Sequence, residues 1–262
     1  MRLGGDVGLR WREAAFDPFV IDTIRNAEAL FIAGGDQSRY VRFWKDTPVE
    51  DAINHVVAKP APVGGTSAGM AILGEFSYSA MSDESLTAAT AFADPFHADL
   101  TFERDFLALP GLGGIITDQH LQERDRIGRT VALMARLLRG GWTGEARAIA
   151  ADRETSLHVD PATGDSQVFA TSDHETPYVY FMRADHLPGV CEPREPLTFD
   201  DVAVYRVGPG ATFNIGQWSG TGGLAYSLRA KAGVLSSSRA ALYWQTPTCG
   251  HPLAQLASPV PR

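Results

Sequence analysis

Two short segments carry the residue types that acyl-transfer chemistry needs. The first, Gly64-Gly65-Thr66-Ser67-Ala68-Gly69-Met70, contains G-x-S-x-G at Gly65, Ser67 and Gly69. A serine in a sharp strand-to-helix turn presents its hydroxyl outward, and glycines on both sides relieve the crowding the turn creates. The helix that follows aims its N-terminus at a developing oxyanion, which makes the Ala68 N–H a natural donor. By itself the spacing fits an ordinary small-residue turn equally well. The second segment runs Thr117-Asp118-Gln119-His120-Leu121-Gln122-Glu123-Arg124-Asp125-Arg126-Ile127-Gly128-Arg129. The His120 imidazole can accept the Ser67 proton and return it to a leaving amine. Arg124, Arg126 and Arg129 fall within six positions in a chain of formal net charge -8. Guanidinium groups bind carboxylates bidentately, so the cluster suits an anionic group. The same arginines can equally pair with Glu123, Asp125 and other carboxylates on a solvated helix start.

These residues need elements to hold them. Asp17 can cap a helix that has Pro18 in its first turn and reaches about Ala27. The apolar run Ala29 to Ala33 reads as a buried strand ending at Gly34-Gly35. Thr47-Pro48-Val49-Glu50 reads as a capping box opening a helix to about Val57. Pro62-Val63-Gly64 is a short strand feeding the serine turn. Ile115-Ile116-Thr117 is a β-branched strand that delivers His120 to the sheet end where α/β folds bind ligands. Ile127, Val131, Met134 and Leu138 recur at helical spacing, and Gly140-Gly141 ends that helix. Ala148 to Ala151 is another buried strand. Such alternation predicts an α/β fold with a mainly parallel sheet covered by helices. Gln167 to Ala170, Tyr178 to Met182 and Asp201 to Val207 then read as strands. The expected organisation is an α/β catalytic domain over residues 1–160 and a β-rich extension over 161–262.

The bulk numbers narrow the partners. At 262 residues, 44% hydrophobic and 21% charged, the chain resembles an average soluble protein. Its net negative charge argues against nucleic acid and anionic membranes. No apolar run approaches the roughly 18 residues of a membrane helix, and the start lacks an apolar signal core. A cytoplasmic location is the expectation. Cys191 and Cys249 are too few for a disulfide framework, and His97 near Asp94 and Asp99 lacks a recognised metal spacing. No metal or cofactor is expected.

Three motifs occur in order: GGDQ (Gly34 to Gln37), GGTSAG (Gly64 to Gly69) and DQH-x3-R-x-R-x-x-R (Asp118 to Arg129). Together they resemble the cyanophycinase branch of the cyanophycinase and peptidase E family, over roughly residues 17 to 160. The resemblance implies a flavodoxin-like fold similar to class I glutamine amidotransferase domains, and a serine exopeptidase. It implies Ser67 as nucleophile, His120 as base, and Gly35 and Ala68 at the oxyanion hole. It places Gln37, Asp118, Gln119, Arg124, Arg126 and Arg129 at the substrate pocket. The implied substrate is cyanophycin-like: a polyaspartate backbone with arginine on each β-carboxyl, cut to β-aspartyl-arginine dipeptides. A homodimer is left open as the assembly state. Related alternatives are an aspartyl dipeptidase, another small-amide hydrolase, or a catalytically impaired member.

The chain departs from the family pattern twice. The family's triad acid lies in a segment like D-E-x-T-A, and the stretch here is Asp152-Arg153-Glu154-Thr155-Ser156. A gapless match puts Arg153 on the acid's position, and a one-residue slip brings Glu154 there. Glu154 is the expected acid, with Asp152 the other candidate in the segment. In addition, only 66 residues precede Ser67, so the family's N-terminal strands are expected to be missing.

Overall fold

A computed structural model describes residues 12–82, 86–171, 177–239 and 241–243. Cys249 lies outside them. The described residues include helix α1 (Pro18–Arg25), strand β1 (Leu30–Ile32), helices α2 (Gln37–Trp44) and α3 (Pro48–Val57), strand β2 (Val63–Gly65) and the short helix α4 (Ala68–Ala71). Next come β3 (Phe76–Tyr78), α5 (Ala88–Ala93), β4 (Phe102–Arg104), β5 (Ile115–Gln119), α6 (Ile127–Arg139) and β6 (Ala146–Ala151). The remaining elements among the described residues are strands: β7 (Thr155–Val159), β8 (Asp165–Ala170), β9 (Val179–Ala184), β10 (Phe199–Val207), β11 (Thr212–Asn214), β12 (Ser219–Thr221), β13 (Leu224–Lys231) and β14 (Val234–Ser237).

Local chemistry sets several boundaries. Asp17 caps α1 as its type suggests, accepting from the Phe19 N–H at 2.8 Å. The capping box expected at Thr47 does not form. Thr47 turns its hydroxyl to the Trp44 carbonyl, and the Glu50 carboxylate takes the N–H of Asp46 instead. Pro48 still opens α3, because its missing N–H would be unsatisfied there anyway.

Strands β1 and β2 pair in parallel as a sheet of their own, with Leu30 opposite Val63 and Ile32 opposite Gly65. The main sheet has eight strands in the order β14-β13-β10-β9-β6-β5-β3-β4. Only β3 with β5 and β5 with β6 run parallel, and the other five pairings are antiparallel. The sheet is therefore mixed, not mainly parallel as expected. The reason lies in the connections. A parallel pair needs a crossover, and α6 supplies one between β5 and β6. After β6 the chain makes the β7–β8 hairpin instead of a helix, and β9 returns antiparallel beside β6. The later strands thus extend the same sheet that contains β5 and β6.

Alternation along the central strands splits the core into two layers. Ala148 and Ala150 of β6, with Tyr180 and Met182 of β9, face the layer holding Val131, Met134 and Leu138 of α6. Ile149, Val179 and Phe181 face the opposite layer, which holds Val168 and Phe213 of the four-stranded sheet β12-β11-β8-β7. Phe181 and Phe213 stack with centroids 3.8 Å apart. The main sheet is thus covered by helix on one side and by a second sheet on the other. No helix among the described residues is long and apolar enough to cross a membrane.

Candidate active site

Ser67 sits on the turn between β2 and α4 with φ +52° and ψ -118°, a conformation rare for any residue but glycine. The flanking glycines explain how the turn packs. A Cβ on Gly65 would meet the Gly69 backbone at 2.5 Å, and one on Gly69 would lie 2.2 Å from the Ile32 carbonyl oxygen. The turn is pressed onto both itself and β1. Gly34, at the end of β1, lies directly against Ser67: a Cβ there would stand 3.1 Å from the Ser67 Cβ.

His120 follows β5 and brings Nε2 to 3.1 Å from the Ser67 hydroxyl. Its own φ is +52°. The contact to Ser67 is the one hydrogen bond its ring makes among the described residues. Burial holds its pKa below the ordinary 6.5, and the positive fields of Arg124 and Arg126 push in the same direction, with Glu123 and Asp118 opposing. These effects favour the neutral imidazole, the form that can take a proton.

Glu154, the expected acid, bonds elsewhere. It occupies a turn at φ +54° just before β7, and its carboxylate pairs with Arg153 at 3.3 Å, both side chains half exposed. The one-residue slip needed a bulge to aim Glu154 at His120. The chain instead turns at this point, and the half-exposed Glu154 carboxylate, in the cleft wall, pairs with Arg153. Asp152, the other candidate, is buried and accepts the Gln122 N–H at 3.0 Å through Oδ1. Burial pushes its carboxyl up to about 7. The Tyr180 hydroxyl, buried as well, is a side-chain partner of this carboxyl and opposes part of that rise.

Ser67 and His120 open into a cleft of about 490 Å³. Its wall includes Met70, Gln119, Asp152, Arg153, Glu154, Ser156, Phe169 and Thr171. Of the six residues that the motifs place at a pocket, Gln119 alone is part of this wall. Arg129 is 1% exposed, and its guanidinium grips the Asp118 carboxylate through Nη2 and through Nε at 3.1 Å. Thr130 Oγ1 and the Gln119 N–H complete the shell of Asp118 at 2.9 and 2.8 Å. That pair is an internal strut between β5 and α6. Arg126 is also buried, and Nη1 donates to the Gln119 side chain at 2.6 Å and its carbonyl at 3.0 Å. Gln37 is held on the Tyr78 carbonyl at 3.3 Å, and Arg124 is exposed.

Sequence reasoning missed the wall that the β7–β8 hairpin contributes. A signal was present in β8: Ser166 and Val168 face inward, and Phe169 is an aromatic on the outward set with Asp165 and Gln167. An exposed aromatic on a polar strand face calls for a function.

Residues 13–98 match the model of Peptidase family S51. That stretch contains Gly34 to Gln37 and the Ser67 turn, and ends before His120. A solved structure, described as a peptidase from an acI-B1 Actinobacterium, is similar at 14% identity and a TM-score of 0.47. The match covers 78% of this chain and 66% of that one, so the chain spans just under two thirds of its length. No curated protein matches the chain.

Proposed function

We propose that the chain is a serine-type peptidase in which Ser67 attacks a scissile carbonyl and His120 acts as its general base. The observation that carries this reading is the 3.1 Å contact between Ser67 Oγ and His120 Nε2 at a serine held in a strand-to-helix turn. Similarity to family S51 over the Ser67 segment supports it. The Ser67 proton passes to Nε2 as Oγ bonds the carbonyl carbon. The oxygen of the tetrahedral intermediate is met by the N–H groups of Ala68, first residue of α4, and Gly35. Nε2–H then protonates the departing amine, and water deacylates the serine by the same route. The substrate class that fits is an acidic peptide of the β-aspartyl or cyanophycin-like kind. Arg153 in the cleft wall is the cation for its carboxylates, and Arg124 and Arg126, outside that wall, add only a positive field that reaches His120.

The test is incubation with cyanophycin and with β-aspartyl dipeptides, beside a Ser67→Ala control. Hydrolysis by the native chain and none by the variant is expected. Equal rates in the two, or no cleavage of any peptide or small amide, would overturn the reading. One observation favours a second reading, an impaired hydrolase: no carboxylate among the described residues bonds the His120 ring. A burst of one product per chain followed by arrest would select it.

A further inference from the structure

The end of β6 and the residues that follow it do more than wall the cleft. Three hydrogen bonds tie it to the turn that carries His120. The Leu121 N–H donates to the Ala151 carbonyl at 3.2 Å, the Gln122 N–H to Asp152 Oδ1 at 3.0 Å, and the Arg153 N–H to Glu123 Oε1 at 2.6 Å. The third is exposed, so water competes for its groups. Asp152 is 4% exposed, and its own N–H is pinned to the Tyr178 carbonyl at 3.0 Å. A continuous path thus runs from the strand β9 side through Asp152 to the residue two places beyond His120. The His120 backbone needs such support, since a positive φ outside glycine persists only where the surroundings hold it.

The chemistry of Asp152 argues against a purely structural post. Its carboxyl is almost fully buried, with the Tyr180 hydroxyl as a side-chain partner, and burying a carboxyl weakens a fold. A hydrophobic residue of similar size would serve packing better. An acceptor at this position takes the Gln122 N–H, which a hydrophobic residue could not do.

We propose that Asp152 is a positioning residue: through the Gln122 N–H it holds the His120 turn, so that the imidazole stays aimed at Ser67 although no carboxylate among the described residues bonds its ring. The inference rests on Ser67 and His120 being nucleophile and base. It explains how a base whose ring bonds no described carboxylate keeps its orientation: the backbone around it is fixed.

Two readouts test it on Asp152→Ala, Asp152→Leu and Asp152→Asn: hydrogen exchange at the Gln122 amide, and the rate at which a fluorophosphonate probe labels Ser67. The leucine variant fills the site should the alanine variant fail to fold. Removing the acceptor should expose the Gln122 amide to exchange and slow labelling at least about tenfold, since misplacement by an ångström costs up to about 100-fold. The asparagine Oδ1 still accepts, so that variant should stay within about threefold of the native rate, a neutral acceptor being somewhat weaker. Native labelling in the alanine or leucine variant would overturn the proposal. So would an asparagine variant as slow as leucine with Gln122 still protected. If the native chain is not labelled at Ser67, the nucleophile assignment is what fails. Gln122 exchange then decides separately whether Asp152 holds the turn: protection retained without the acceptor refutes it, and protection lost supports it.

Discussion

Ser67 and His120 meet at 3.1 Å from two backbone positions that share the same left-handed φ of +52°. One follows β2 and the other β5, so each side chain leaves the line of its strand at the moment the strand ends. Positions of this kind cost on the order of 1–3 kcal/mol each and survive only when packing over-determines them. At Ser67 the packing is the contact of Gly65 with Gly69 and of Gly69 with Ile32. At His120 it is the bonds from Leu121 and Gln122 to the end of β6.

The pH profile should show the environment of His120. Burial, then Arg124 and Arg126, lowers its pKa from 6.5. A base with a lowered pKa stays neutral to more acid pH, so the acid limb of kcat/KM should fall below pH 6.5. Arg124→Gln removes one positive field and should move that limb upward. A native limb at or above 6.5, or a downward shift in the variant, contradicts the arrangement.

Glu154→Gln separates the two accounts of the acid. In a Ser-His-Asp triad the equivalent amide substitution lowers kcat about 10⁴-fold. Here Glu154 pairs with Arg153 and is half exposed. Turnover within about threefold of native is therefore expected, because an exposed ion pair contributes roughly 0–1 kcal/mol. A loss of several orders of magnitude in steady-state kcat would restore Glu154 to the triad.

Much of this site was legible because its requirements are local. The Gly65-x-Ser67-x-Gly69 spacing is a demand of one turn's backbone, and the contacts of its glycines are the ones the spacing implies. The four residues Ile127, Val131, Met134 and Leu138 join the core from α6, as their period predicts, although the rest of that helix is nearly all buried too. The direction of the main sheet was not legible, because it depends on whether the link after β6 is a helix or a hairpin. The arginine cluster was ambiguous for the same kind of reason. Spacing gave either a pocket or a solvated helix, and Arg129 took neither, since α6 packs its first turn onto the end of β5 where Asp118 lies.

That pair makes a stability prediction. Arg129→Met would leave the Asp118 carboxylate buried with only Thr130 and the Gln119 N–H as donors. Breaking a buried pair from one side costs about 3–5 kcal/mol. Adding Asp118→Leu removes the stranded charge and should recover most of the loss. Urea midpoints of the single and double variants check this, and a single variant within about 1 kcal/mol of native would deny the strut its role.

Asp152 should leave its mark on stability against pH. In the unfolded chain it titrates near 3.8, and in the folded chain burial raises it to about 7. Between those values the folded state keeps a proton that the unfolded state has released. The stability this carboxyl permits is therefore fully present below pH 3.8 and is lost as pH rises through about 7. Asparagine does not titrate, so Asp152→Asn should gain on the native chain as pH increases. At about 1.4 kcal/mol per unit over roughly three units, the gain approaches about 4 kcal/mol as an upper figure. Denaturation midpoints of both chains at pH 4, 6 and 8 provide the check. A gap that stays constant, or narrows with rising pH, would mean that the Asp152 carboxyl is ionised in the folded protein at its ordinary value, with its buried oxygen solvated after all.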